Sequence, residues 1–240
     1  MLCIMKKHEW NLFAMFCIFV LMFLLSLIPT ENFENYTDIT YYVIHERSNQ
    51  ERTQNIKVQE AKLGKPIHIF DAIMGKDLDT NQLSMFDEKL QNKKKGQRNN
   101  VIGCYLSHFM LIKSLLGHTD GYTIIFENDF KIVTDNLDKQ LQHILQIIDK
   151  DFDLLYFGNL NDSHSQLYKE NIYDIKDVIT GNHAYLINNR NIQKIYNVLL
   201  TMDEAVDWKY SNSMQKNELR GFAIYPVLVV QNGMESTIGY

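Results

Sequence analysis

Short runs of β-branched and aromatic residues recur along this chain, and stretches with helical spacing separate them. Tyr41–Ile44, Ile67–Phe70, Tyr122–Phe126, Phe152–Phe157, Ala184–Ile187 and Phe222–Val230 read as strands. Between them, Asn49–Lys62 holds good helix formers and closes at Gly64, and Ile102–Leu116 carries apolar residues at helical spacing and stops at Gly117. Leu137–Ile148 and Asn191–Leu200 read as two more helices. Strands alternating with helices of this length predict an α/β fold with a mostly parallel central sheet flanked by helices. Sheets of that kind bind ligands beyond the carboxyl ends of their strands. The residues that follow each strand are therefore where chemistry is to be sought.

Before the first strand, Leu12–Ile28 contains no charged residue and is about as long as a membrane-crossing helix requires. Lys6 and Lys7 precede it, and Glu31, Glu34 and Asp38 follow it. That bias predicts a short cytosolic tail (residues 1–11), a transmembrane anchor (12–28), a linker (29–38) and a domain (39–240) on the far side of the membrane. The run exceeds the usual apolar core of a cleaved signal peptide, and Ser26–Thr30 matches a small-residue cleavage site poorly. The expected topology is single-pass type II, facing an ER or Golgi lumen in a eukaryotic or viral setting, or held at the inner membrane in a bacterium. Asn35-Tyr36-Thr37 and Asn161-Asp162-Ser163 match the N-glycosylation acceptor pattern, which suits such a domain. The net charge of −5 lacks the clustered basic surface that nucleic acid requires. Lys93-Lys94-Lys95 with Arg98 reads as a solvated loop. Of the three cysteines, Cys104 alone belongs to the domain, so no internal disulfide and no thiolate metal site follows from spacing.

One strand end stands out. Thr123-Ile124-Ile125-Phe126 runs directly into Glu127-Asn128-Asp129. Carboxylates two residues apart on an extended chain share a face, with about 7 Å between their backbones. Two such groups can hold a hard divalent cation, which could bridge a diphosphate and offset charge on a leaving group. Acidic residues at a strand end also serve as plain solvated turn formers, and spacing alone leaves both readings open.

Several segments, taken in order, resemble glycosyltransferase family 25, which includes lipooligosaccharide and collagen galactosyltransferases. The resemblance runs from Tyr42-Val43-Ile44 with Arg47-Ser48 and Arg52, through Asp71-Ala72 with Gly75, to Ile102-Gly103-Cys104-Tyr105-Leu106-Ser107-His108. It continues through Phe126–Asp129, Gly181–Ile187 and Val206-Asp207 to Tyr225-Pro226, Gln231 and Ser236-Thr237-Ile238. It implies a GT-A-like fold, a UDP-sugar donor (often UDP-galactose in the family), a Mn2+ or Mg2+ ion, and inversion at the anomeric carbon. The acceptor it implies is a hydroxyl of a glycan or of a glycoprotein or collagen-like protein. The family pattern is usually Glu-Asp-Asp, so Asn128 departs from it.

The resemblance implies Asp129 as principal metal ligand and Glu127 as its helper, with Glu127 and Asn128 also beside the donor. Arg47 and Arg52 follow the first strand, where a base or diphosphate would lie, and guanidinium forks suit phosphate oxygens. Ser107 or His108 would touch the donor or else pack the helix, and Gln231 would meet donor or acceptor or cap a strand. Asp207 is the candidate general base or a second metal-side contact, with Glu235 and His183 as rivals. A binding module on a transferase fold is the alternative reading, with Asn128 as its sign. A metal-dependent phosphodiesterase would need further His and Asp ligands at strand ends, and the sequence offers no such cluster.

Overall fold

The computed structural model describes residues 37–86, 95–162 and 165–233. The expected tail, anchor and most of the linker fall outside them, as do Glu235 and Ser236-Thr237-Ile238. Among the described residues no helix is long and apolar enough to cross a membrane.

An eight-stranded sheet organises the domain in the order β2-β1-β3-β10-β5-β11-β8-β7. The strands are β1 (Ile39–His45), β2 (Ile67–Asp71), β3 (Tyr122–Glu127), β5 (Leu154–Gly158), β7 (Gln166–Lys169), β8 (Ile172–Asp174), β10 (Ala184–Asn188) and β11 (Gly221–Ile224). The pairs β1–β2, β1–β3 and β5–β11 are parallel. The pairs made by β10 with β3 and β5, and by β8 with β11 and β7, are antiparallel. The sheet is thus mixed rather than mostly parallel by pairing: β10 and β8 run against the other strands. Hydrophobic patterning identifies a buried strand but carries no sign of its direction.

Two small sheets complete the fold, β4 (Phe130–Ile132) with β12 (Val229–Gln231), and β6 (Asn161–Asp162) with β9 (Ile179–Thr180). The single last strand expected over Phe222–Val230 is in fact two, β11 and β12, in different sheets, with a cis Tyr225–Pro226 bond between them.

Central strands are apolar at nearly every position because both faces are covered. Successive residues point to opposite faces, and the core divides accordingly. Ile125, Tyr156, Tyr185 and Ile187 join one cluster, packed with Tyr105, Leu111 and Ile112 of helix α3 (Lys95–Ser114) and with residues of α5 (Ile192–Leu199) and α6 (Val206–Gln215). Ile124, Phe126, Leu155 and Leu186 join the other, under α1 (Gln50–Leu63) and α4 (Leu137–Ile147).

The helix ends follow capping rules. The Asn49 side chain accepts from Arg52 N at 3.0 Å, and Gly64 closes α1 in the left-handed region at φ 68°. Asp79 and Gln82 form a capping box on the short α2 (Thr80–Ser84). Helix α3 begins at Lys95, before the Ile102 start expected from patterning, so Lys95 and Arg98 are helical rather than in a loop. Gly103 lets this helix lie against the segment after β2, because a Cβ there would meet the Ile73 carbonyl oxygen at 2.5 Å.

Register brings several chain ends to one edge. Phe126 lies beside Val43 on β1 and beside Ala184 on β10, and Ala184 lies beside Gly158 on β5. The C-terminal ends of β1, β3 and β5 and the start of β10 therefore meet there.

Candidate active site

At that edge β3 ends on Glu127, Asn128 and Asp129 make a turn, and Phe130 opens β4. Phe126 and Phe130 are fully buried and stack with ring centres 4.2 Å apart, which anchors both ends of the turn. Its backbone is held from two sides. Asn55 Nδ2 donates to Phe130 O at 2.9 Å, and Asn232 N donates to Asp129 O at 2.8 Å. The three side chains then diverge.

Glu127 Oε1 stands 3.5 Å from His108 Nε2, and His108 Nδ1 meets the Tyr185 hydroxyl at 2.8 Å. Burial alone would raise the Glu127 pKa, but the His108 contact, assisted by the charges of His108, His183 and Arg52, holds it below its ordinary value. Asn128 turns away from this pair. Its Oδ1 accepts from Arg52, and its Nδ2 lies 3.4 Å from His45 Nδ1. Asp129 is 8% exposed; its Oδ2 is 3.7 Å from Arg52, and its Oδ1 is buried with no hydrogen-bond partner among the described residues. Burial, with the Glu127 charge behind it, pushes its carboxyl up to about 6 against the pull of Arg52. A carboxylate so placed lacks a cation's worth of compensation.

These groups open into a cleft of about 250 Å3. Arg52, Ser107, His108, Gln231 and Asp207 line it together with the Glu127–Asp129 turn. Arg52 is buried and spans from α1 to the turn, so its guanidinium positions Asn128 and Asp129. Ser107 spends its hydroxyl on backbone, donating to Gly103 O at 2.7 Å and accepting from Ile73 N at 2.8 Å. Gln231 is carried alongside the turn by the β12–β4 pairing, opposite Phe130. Asp207 sits in the first turn of α6, where Oδ1 accepts from Trp208 N at 2.9 Å and Oδ2 lies 3.4 Å from Gly181 N.

Arg47 lies elsewhere. It is exposed, pairs with Asp71 on the surface and does not line the cleft. His183 is buried under the sheet edge, where burial lowers its pKa and the Glu127 charge partly offsets that.

Sequence reasoning passed over other lining residues. Glu46, Cys104, Asn182 and Trp208 all face the cleft. Burial raises the Cys104 pKa, and the charges of Glu127, Asp207 and Asp129 raise it further, which reflects three acids gathered round one space. For Trp208 a signal existed in its place next to Asp207. Asn182 stood within the Gly181–Ile187 segment of the resemblance, but nothing local marked its side chain as facing a cleft.

The residues fit a divalent cation: a buried, unpaired Asp129 Oδ1 beside a second carboxylate is an oxygen donor set of the hard kind. Cys104, His108 and Glu127 form a second, softer group, with ligand atoms within 4.8 Å of one another.

A profile of glycosyltransferase family 25 (LPS biosynthesis protein) matches residues 38–209. The chain belongs to that family. The matched span takes in every cleft residue discussed here except Gln231, which arrives with the last strand. Procollagen galactosyltransferase 1-A of Xenopus laevis is 23% identical to this family-25 chain over 225 residues, covering 83% of it and 37% of the relative. Procollagen galactosyltransferase 2 of Mus musculus is 21% identical over 201 residues, covering 72% and 32%. The chain thus spans about a third of the length of these curated relatives. A solved glycosyltransferase involved in glycosylating the major capsid of PBCV-1 superposes with a TM-score of 0.48 at 11% identity, covering 82% of this chain and 94% of that one.

Proposed function

We propose that this family-25 chain transfers a hexose, galactose in the first instance, from a UDP-sugar to a hydroxyl of a glycan or a protein, with inversion at the anomeric carbon. The observation that carries the reading is Asp129, buried with an unpaired oxygen beside Glu127 at the lip of the sheet. Membership of the family supports the reaction class. The names of the two relatives support galactose and admit a collagen-like acceptor.

In this reading Asp129, with Glu127 beside it, holds Mn2+ or Mg2+. When bound, such an ion offsets the negative charge that gathers on the departing diphosphate. The chain's own residues do the rest. His108, fixed by Tyr185, keeps Glu127 ionised and aimed, and Arg52 fixes the turn from the other side. Asp207 takes the proton of the acceptor hydroxyl on its carboxylate as that oxygen bonds to the anomeric carbon. The bond from that carbon to the diphosphate oxygen breaks, and UDP leaves with the electron pair. Holding acceptor and donor together in one cleft supplies much of the rate. The Leu12–Ile28 run would anchor the protein as a single-pass type II membrane protein, and extraction only by detergent would check that placement.

Asn128 is compatible with activity, because its side chain serves Arg52 and His45 rather than the acid pair. The test is UDP release from UDP-galactose, UDP-glucose and their N-acetyl counterparts, with Mn2+ and with chelator. Metal-dependent release is the expected result. Release that chelation leaves untouched, or no release from any UDP-sugar, would overturn the proposal.

A further inference from the structure

The wall of the cleft formed by Asn182, Trp208 and Leu160 has an unmet chemistry of its own. Asn182 is 3% exposed, yet its Oδ1 and Nδ2 both lack a hydrogen-bond partner among the described residues. Buried amides are nearly always satisfied, so a doubly unpaired one lining a cleft is the imprint of a polar ligand. A carboxamide offers one acceptor and one donor group side by side, which matches two neighbouring hydroxyls of a sugar ring.

Trp208 supplies the complementary half. It sits in the first turn of α6, lines the same cleft, and leaves 45% of its surface exposed. A flat aromatic open to solvent beside polar groups suits a ligand with one apolar face and a polar rim. A pyranose has that form, with C–H bonds on its face and hydroxyls at its edge. The wall is also rigid. Leu160 N donates to Thr180 O at 2.8 Å across the β6–β9 pair, and Gly181 at φ 84° leaves no room for a Cβ, which would stand 2.8 Å from Leu160 Cγ. Asp207 ties the two segments together, its Oδ1 accepting from Trp208 N at 2.9 Å and its Oδ2 lying 3.4 Å from Gly181 N, next to Asn182 in the chain.

We infer that Asn182 and Trp208 form a subsite for a neutral hexopyranose acceptor, so that the acceptor of this chain is a terminal sugar of a glycan rather than a bare amino-acid side chain. The inference rests on the transferase reading and narrows it. Arg52 is the lone Lys or Arg among the described lining residues and is engaged with the acidic turn, whereas Glu46, Glu127, Asp129 and Asp207 are all acidic. That balance repels an anionic acceptor such as a uronic acid. The ring stacks on Trp208, two of its hydroxyls pair with the Asn182 amide, and the hydroxyl to be glycosylated faces Asp207.

The test uses the full chain in detergent with UDP-galactose, Mn2+ and methyl hexosides as acceptors, reading KM for acceptor and for donor separately. Trp208→Ala is expected to raise the acceptor KM by about tenfold or more, a stacking-sized loss. Trp208→Phe recovers most of it, and Asn182→Leu raises the acceptor KM likewise. The exposed position of Trp208 makes its variants safe for folding. Acceptor KM unchanged in all three variants, or a rise confined to the donor KM or to binding of UMP, overturns the subsite. Wild-type UDP release without acceptor separates the two failures: if release persists while acceptor KM is flat, the transferase reading stands and the subsite falls.

Discussion

Replacing Asp129 with Asn should stabilise the metal-free protein while abolishing its transfer. The carboxyl is raised from an ordinary 3.8 to about 6. At about 1.4 kcal/mol per pKa unit, that displacement corresponds to about 3 kcal/mol of folding free energy. The sign follows from the direction. An acid whose folded pKa lies above its unfolded one is penalised for ionising in the fold. The penalty is absent below pH 3.8, grows as pH rises from 3.8 to 6, and is complete above 6. Asparagine keeps the shape and removes the charge. It forfeits the attraction to Arg52 at 3.7 Å, which is already counted in the net shift.

Thermal unfolding in chelator reads the effect. For a domain of this size about 3 kcal/mol is about 6–12 °C in melting temperature. Asp129→Asn should melt higher than wild type by roughly that amount at pH 7.5, with the gap closing as pH falls towards 4. Adding Mn2+ at about a hundredfold over its dissociation constant should return about 2.7 kcal/mol to the wild type and nothing to the variant. Transfer in the variant should fall by more than about a hundredfold if the cation offsets charge on the leaving group. A variant that melts at or below wild type in chelator at pH 7.5 would refute the idea of an uncompensated carboxylate. Equal stabilisation of both proteins by Mn2+ would remove the cation from Asp129.

Two further contrasts use the neighbours of the turn. Asn128→Asp places a carboxylate against Arg52 and His45, so transfer should stay within about tenfold of wild type. The His45 imidazole, now held low by burial and by Arg47 and Arg52, should titrate higher by NMR; an unmoved His45 would show that position 128 does not face it. Arg52→Ala leaves Asn128 and Asp129 without their buried partner and should cost about 3–5 kcal/mol in urea unfolding together with most activity. Arg47→Ala removes one exposed ion pair and should change stability by about 0.5 kcal/mol or less with transfer intact. Equal losses from the two arginine variants would contradict their placement.

The central strands were legible because each is buried on two faces: β3, β5 and β10 are apolar at nearly every position, and no polar alternation interrupts the signal. Strand β7 was not, since Gln166–Lys169 is exposed throughout and owes its extension to the ladder with β8. Helix α6 was missed for a related reason, its Ser211, Asn212 and Ser213 diluting any apolar stripe. Strand direction was illegible altogether, because β10 has the same composition whichever way it runs.

The acid pair could be read for its residue types, but its geometry could not. Glu127 and Asp129 were placed on one face by the spacing of an extended strand. The chain in fact leaves the strand at Asn128, and both acids reach the cleft because α1 and the final strand clasp the turn from either side. Those clasps join residues far apart in sequence, as does the reach of Arg52 to Asn128, whereas Arg47, five residues earlier, finds Asp71 on the surface. No local pattern separates the two arginines. The same turn explains why an amide is admissible between two acids. In a straight strand the middle residue would point to the opposite face and its identity would be set by the core. In a turn it points sideways, where an amide can use both ends, its Oδ1 accepting from the Arg52 guanidinium and its Nδ2 facing His45 Nδ1. The departure at 128 is therefore a change in how the turn is held, and it leaves the two carboxylates that line the cleft as they were.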